Sequence, residues 1–401
     1  MLKEVVVVNF KSPPFIGIGG RRWGKLTKAL LNNGVKVHLV RVNWGSVEAQ
    51  RIPDWMHHPL LQDHVVEGHL LTSSSFFGRM AMRFSQWKAS LLGEYSIYDE
   101  GRNYIKGLIA TLSSIQLDSK IDAYIVTGPP FSWIYEVTHW VKSNAIHSKI
   151  WVDIRDPWLT ANNWGMPLLS KKQKSNEQQR YLKVLDNADF VSSPTFSILE
   201  EFVVGECGAQ KVYFPHFFDW DDWQMAEGIE VKKNYWVYSG QFYVGMEEFI
   251  EKWRTIIISA GPSFEWAIFS KDHDRFSTYL GDLEQVKIHP DIGNEVFREL
   301  ARSEGLVICL SDYNKDYFTT KYYDYLPSGK PLMYIGPVGK VAAHLMQDKK
   351  NGINVLPAKD NFISSPVVFS LTRLGDSDEI QKASLEARCQ ELIKLISKSD
   401  V

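Results

Sequence analysis

The sequence predicts an α/β protein made of two successive Rossmann-like halves. Three observations carry that expectation. Val5 to Phe10 is a continuous apolar run, and a glycine-bearing loop, a helical stretch and a second apolar run from Val35 to Val40 follow it. The same order restarts near residue 234, with Tyr235 to Ser239, then Gly240, then a helical stretch from Met246 to Ser259. A chain of 401 residues with 44% hydrophobic content is long for one core and suits two.

Taken in order, the first half begins with the Val5–Phe10 strand and the loop Lys11 to Arg22. Trp23 to Asn33 reads as a helix with Leu26, Ala29 and Leu30 on one face, and Gly34 closes it. Asp122 to Thr127 is a strand ending in Gly128-Pro129-Pro130, and a helix follows from about Ser132 to Lys142. Ile150 to Ile154 is a strand ending in Arg155-Asp156-Pro157-Trp158. A polar helix spans about Lys172 to Asp186, Ala188 to Ser192 is a short strand, and Ser197-Ile198-Leu199-Glu200 fits a capping box. Val212 to Phe214 ends the half, and the acidic stretch from Asp219 to Lys233 reads as a linker.

The second half continues with strands at Phe264–Phe269, Gln285–His289 and Leu306–Leu310 and a helix at Gly293–Ser303. Lys321 to Leu332 then reads as a short helix that Pro327, Gly329 and Pro331 terminate ahead of the strand Leu332–Ile335. A helix near Val338–Met346, a strand at Gly352–Leu356 and a last helix from Asp378 to Ser397 complete it. The domain bounds expected on this basis are 1–218, a linker 219–233, 234–377, and a closing helix 378–401.

Composition excludes several classes. A formal net charge of -2 gives no sign of a nucleic-acid partner. The three cysteines, Cys207, Cys309 and Cys389, lie far apart, so neither a disulfide framework nor a zinc site is expected, and a reducing cytoplasm is. The N-terminus is too short and too β-branched for a signal peptide, and no apolar run reaches the ~20 residues of a membrane span. No Walker loop, G-x-S-x-G elbow or zinc-spaced histidine set occurs. No D-x-D ends a convincing strand, so no obligatory metal or other cofactor is expected. One stretch departs from a plain core pattern. Residues 70–90 are apolar and aromatic, with Arg79, Arg83 and Lys88 and no acid, and either an ordinary core helix or a basic amphipathic surface fits them.

Three motifs bear on chemistry. Gly17, Gly19 and Gly20 let a backbone approach a ligand ahead of a helix N-terminus, and Arg21 and Arg22 beside them suit a phosphate or a sugar acid. Arg22 stands where a dinucleotide fingerprint needs its third glycine, and the second strand lacks the ribose-binding acid, which disfavours NAD. Asp153, Arg155 and Asp156 close a buried strand, where charge is rarely idle; an internal salt bridge fits Asp153 as well as direct chemistry does. Lys321 and Asp324 share one helical face, with Asp316 eight residues before Asp324. A carboxylate accepts both hydroxyls of a ribose and a lysine neutralises a diphosphate, whereas a solvated ion pair is the bland alternative.

Together these segments resemble the retaining GT-B glycosyltransferases of family 4 (group 1). The residues that carry the likeness are Gly17 to Gly20, Thr127-Gly128-Pro129-Pro130, Asp153 to Trp158, Ala188-Asp189-Phe190-Val191, and Thr319-Thr320-Lys321 to Pro331 against a P-x-K-x-x-E-Y-x-x-x-G-K-P signature. The resemblance implies two Rossmann-like domains facing across a cleft, the first for the acceptor and the second for the nucleotide-sugar, with the last helix crossing back. It implies transfer of a sugar from a nucleotide-diphosphate-sugar to a glycan or lipid-linked saccharide acceptor in bacterial surface polysaccharide synthesis.

On that likeness Gly19, Gly20, Arg21, Gly240, Lys321 and Asp324 are expected on the donor. Arg22, Asp153 and Arg155 fall on the acceptor side, and Asp156 and Asp316 at the chemistry. Peripheral membrane contact through 70–90, at the inner face, is a further expectation. Two departures stand out: Gly240 to Gly245 lacks the family's diphosphate-gripping Arg and Lys, and Pro215-His216-Phe217-Phe218 replaces its asparagine-glycine. A GT-B nucleotide-sugar epimerase and a non-catalytic sugar-binding scaffold are the rival readings.

Overall fold

The structure is a computed structural model that describes residues 2–15, 18–43, 52–68, 84, 87–96, 98–160, 166–201, 208–313, 316–337, 339–341, 343 and 378–398. Gly17, Arg79, Arg83, Cys207, the expected strand at Gly352–Leu356 and most of the expected helix at Val338–Met346 lie outside the described residues. The chain divides into two compact units, Met1–Pro215 with Cys389–Val401, and His216–Arg388.

The first unit is a seven-stranded sheet in the order β3-β2-β1-β4-β5-β6-β7. Its strands are β1 (Glu4–Val8), β2 (Lys36–Val42), β3 (Leu61–Val66), β4 (Ala123–Gly128), β5 (Lys149–Ile154), β6 (Phe190–Ser193) and β7 (Gln210–Tyr213). All neighbours pair in parallel. β1, β4 and β5 are near-continuous apolar runs because helices cover both faces of a parallel sheet. The strand order reverses between β1 and β4, which makes their carboxyl ends the topological switch point.

The second unit is a five-stranded parallel sheet in the order β10-β9-β8-β11-β12. Its strands are β8 (Tyr235–Ser239), β9 (Glu265–Phe269), β10 (Val286–His289), β11 (Gly305–Cys309) and β12 (Leu332–Ile335). The switch point here lies between β8 and β11. One apolar cluster on this sheet is built around Trp236, Trp253 and Trp266, and the other around Phe297, Tyr325 and Tyr334.

Several expectations require correction. The first helix starts at Ile18, five residues earlier than expected, so Gly19, Gly20, Arg21 and Arg22 belong to its opening turns rather than to a loop. A Cβ on Gly20 would stand 2.0 Å from the Lys11 carbonyl oxygen, so this glycine serves the chain's own close approach.

The capping box forms at Ser170, whose side chain accepts from Gln173 N while the Gln173 side chain takes the Ser170 N–H. Ser197 lies inside its helix, and its hydroxyl finds no partner. The stretch read as a linker holds the helix Trp220–Gln224, capped by Asp219. The closing helix is two, Asp378–Lys382 and Leu385–Ser397, broken where Phe218 and Ser384 form a β-bridge.

Candidate functional site

In the first unit the acid and arginines ending β5 turn inward. Asp153 is 0% exposed and 5% of Arg22 is exposed. The Asp153 carboxylate accepts from Arg22 Nε (3.2 Å), from Trp23 Nε1 (2.6 Å) and from Ser192 Oγ (2.7 Å). Arg22 also donates to the carbonyls of Pro215 and Phe214. A buried charge pair with this many hydrogen bonds is a staple between helix Ile18–Asn32, the sheet and the chain after β7. The acceptor-side expectation for Arg22 and Asp153 is therefore corrected: neither has surface to offer a substrate.

Arg155 donates to Gly128 O and Gly19 O, which holds the first turn of helix Ile18–Asn32 against the end of β4. Burial pushes the Arg155 guanidinium below its ordinary value, and the nearby Asp156 carboxylate opposes that. Asp156 itself is half-buried at the sheet edge and accepts no hydrogen bond from the described residues. The structure thus gathers Gly19, Arg22, Asp153, Arg155 and Asp156 at one end of the first sheet, with Arg21 adjacent in sequence.

Two polar groups at this edge escaped the sequence reading. Asn9, 1% exposed at the end of β1, accepts from Thr127 Oγ1, while its Nδ2 finds no partner. An unpaired buried donor at a switch point is the group a polar ligand would satisfy. Asp99 is the second. Its carboxylate takes the Ser132 N–H (2.9 Å) and hydroxyl (2.5 Å) at the start of helix Phe131–Ser143. Burial pushes Asp99 up to about 6 against those hydrogen bonds. The chain's own carboxylate therefore occupies the helix N-terminus that follows β4, where a phosphate would otherwise go. Asn9 is legible as the one polar residue closing a valine run; Asp99 gives no local signal.

The second unit presents the opposite arrangement. Lys321, on helix Thr320–Tyr325, is only 8% exposed at the β8/β11 switch point. Its Nζ donates to Tyr238 Oη (2.8 Å) and stands 4.5 Å from the Tyr238 ring centroid and 5.2 Å from that of Tyr243. No carboxylate pairs with it among the described residues. Burial raises the pKa of Tyr238 and of Tyr243 above the ordinary phenol value and pushes the Cys309 thiol up to about 12, so these ionisable neighbours stay neutral. The same burial pushes Lys321 down to about 7, with Cys309 opposing. An amine kept from water without a counter-charge is costly unless an anion comes to it.

The local sequence builds this pocket. Gly240 has φ +156°, and a Cβ there would overlap Lys321 Cε at 1.8 Å, so only glycine lets the lysine lie across the end of β8. Tyr325 Oη accepts from Ser239 N (2.9 Å), which ties the helix to that strand. Tyr238 Oη passes its own proton to Gln241 O (2.9 Å). Arg275 stacks on Phe242, 4.1 Å from guanidinium carbon to ring centroid, and fixes the loop where the family's Arg and Lys are absent.

Gly329 ends the signature in the left-handed region with φ +60°. Lys330 Nζ caps the carbonyls of Ala301 and Ser303 at the end of helix Val296–Arg302, so that lysine serves the fold. Asp324 is half-buried on the Lys321 helix, and its carbonyl accepts from Trp223 Nε1. Asp316 lies apart from this pair in its bonding: its Oδ1 takes the Lys340 N–H at 2.7 Å.

The comparisons concern the whole chain. No family model and no curated protein matches it in sequence. Among solved structures, sucrose-phosphate synthase from Thermosynechococcus elongatus is similar with a TM-score of 0.63 at 11% identity, over 98% of both chains. The chain has a GT-B fold. A glycosyltransferase from Rickettsia africae is similar at TM-score 0.52 and 9% identity over 98% of both chains. Arabidopsis thaliana UGT89C1, solved with UDP-L-rhamnose, is similar at 0.51 and 11%, over 99% of this chain and 100% of that one. At these identities the likeness is one of fold. Among the described residues no cluster of three metal-ligating side chains forms, and no helix is long and apolar enough to cross a membrane.

Proposed function

We propose that the protein is a glycosyltransferase that takes a nucleotide-diphosphate-sugar on its second unit and passes the sugar to a hydroxyl of a glycan or lipid-linked saccharide with retention of configuration. One observation supports this above the others: the buried Lys321 amine, without a counter-ion among the described residues, at the switch point of the second sheet. A diphosphate is the anion that suits a single recessed ammonium at a Rossmann-like sheet edge, and Asp324 on the same helix is assigned the ribose hydroxyls. UGT89C1, of like fold, was solved with a nucleotide-sugar. The bacterial surface polysaccharide setting belongs to the same reading.

In the reaction the bond between anomeric carbon and diphosphate oxygen breaks. The acceptor oxygen bonds the same face of that carbon, and the acceptor proton passes to the leaving diphosphate oxygen. No enzyme nucleophile is required. Lys321 supplies positive charge where charge grows on the diphosphate. Asp156, a carboxylate at the end of β5 with no hydrogen bond from the described residues, is assigned to the acceptor side.

The test is incubation with a panel of nucleotide-sugars, with and without saccharide acceptors. Release of nucleoside diphosphate together with a glycoside of unchanged configuration is expected, and Asp324→Ala removes it. Recovery of an epimerised free sugar, or binding without turnover on any acceptor, overturns the assignment.

A further inference from the structure

Residues 87–92 are helical, and Phe84 precedes them in helical conformation. Within the helical residues 87–92, positions 87, 88 and 91 fall on one face. That face is turned away from the protein. Phe84 is 66% exposed, Trp87 59%, and Leu91 and Leu92 55% each, whereas Ala89 is fully buried. An ordinary surface helix buries its large apolar residues, and here the small ones face in.

The inward side is fixed by polar contacts to helix Lys171–Asn187. The carbonyls of Leu91, Gly93 and Glu94 accept from Lys172 Nζ (3.0 Å), Asn176 Nδ2 (2.7 Å) and Gln173 Nε2 (3.2 Å). A side chain on Gly93 would strike Asn176 Nδ2 at 2.4 Å, so the close approach needs glycine. The segment is held with its aromatic face outward, Phe84 and Trp87 paired at 5.8 Å.

The charges beside it are mainly of one sign, with the exposed Glu94 the exception. Lys88, Lys171, Lys172 and Lys174 are exposed, and residues 84–93 contain no acid. Helix Lys171–Asn187 opens with three lysines in its first four residues and no acid in its first turn. Cations at a helix N-terminus oppose its dipole, so this end gains by meeting an anion.

We propose that this face, Phe84, Trp87, Leu91 and Leu92 with the lysines around it, docks the protein on an anionic lipid bilayer. The rings and leucines enter the headgroup–acyl boundary, and the ammonium groups meet lipid phosphates. A planar anionic surface satisfies both halves of the pattern, an apolar face and a mainly cationic border. The inference stands apart from the donor site, which lies in the other unit, and its test needs no nucleotide.

The test is sedimentation of the full chain with vesicles of phosphatidylcholine alone and of phosphatidylcholine mixed with phosphatidylglycerol. Partitioning onto the mixed vesicles is expected to exceed that onto phosphatidylcholine by about tenfold and to fall with added salt. Trp87→Ser with Leu91→Ser removes it while the thermal midpoint is kept, because both side chains are exposed. Lys171→Glu with Lys174→Glu removes the preference for phosphatidylglycerol. Equal partitioning of wild type and both variants overturns the proposal. So does self-association without vesicle binding that the Trp87/Leu91 variant abolishes, since a second copy then covers the face.

Discussion

At the scale of single residues, two buried charges in this protein differ in kind, and substitution separates them. Asp153 is compensated by Arg22, Trp23 and Ser192. Asp153→Ala leaves the Arg22 guanidinium buried beside a cavity, and loss of one partner of such a pair costs about 3–5 kcal/mol. Urea unfolding of the variant is expected to show a midpoint reduced accordingly; an unchanged midpoint contradicts the staple role. Lys321 meets no carboxylate among the described residues. Lys321→Met keeps the volume, removes a desolvated amine, and leaves Tyr238 Oη still donating to Gln241 O. Its thermal midpoint is expected to equal or exceed that of wild type, whereas a fall of several degrees means the amine was serving the fold. A side chain that can be removed without loss of stability is free to serve a ligand.

At the scale of elements, the first sheet carries a pH-sensitive edge. His38 on β2 is 2% exposed, with Nε2 2.7 Å from Glu4 Oε1 and Nδ1 3.1 Å from His64 Nε2 on β3. Burial lowers both histidines below their ordinary value of 6.5, Glu4 opposing at His38 and His38 adding at His64. The unfolded chain therefore binds more protons, and stability falls as pH drops through 6.5. His64→Gln flattens that fall, which chemical denaturation at pH 7.5 and 5.5 measures; parallel curves for variant and wild type reject it.

The same strands show what sequence reading reaches. β1, β4, β5, β8 and β12 were legible because a parallel sheet covered on both faces leaves apolar runs. β3 was not, since an edge strand reading Leu-Gln-Asp-His-Val-Val exposes half of its side chains and mixes polar with apolar. The early start of helix Ile18–Asn32 was hidden by glycines that signal turns, although Gly20 is there to let the helix lie on Lys11. The signature around Lys321 gave its helix, its αL stop and its strand, but the sequence does not show that Lys330 caps a distant helix or that Arg22 and Asp153 meet across 131 positions.

At the scale of the whole molecule, each unit encloses its own apolar clusters, one around Trp133 and Trp158, the others around Trp253 and Tyr325. Independent cores of this size unfold as separate cooperative units. Scanning calorimetry is expected to resolve two transitions, and a nucleoside diphosphate to raise only that of the second unit. A ligand that raises only the transition of the first unit places the donor site wrongly.

The central claim is that Lys321 holds the donor's diphosphate, and calorimetric titration of nucleoside diphosphates into wild type and Lys321→Met at several pH values tests it most directly. A charge-assisted contact contributes about 1.5–3 kcal/mol, so the variant is expected to bind about 10- to 150-fold more weakly. Because burial sets the free amine near 7, wild-type binding strengthens as pH falls from 8.5 to about 6, with protons taken up on binding, and the variant lacks that dependence. Wild-type affinity matched by Lys321→Met, or binding with no proton uptake in either protein, contradicts the account.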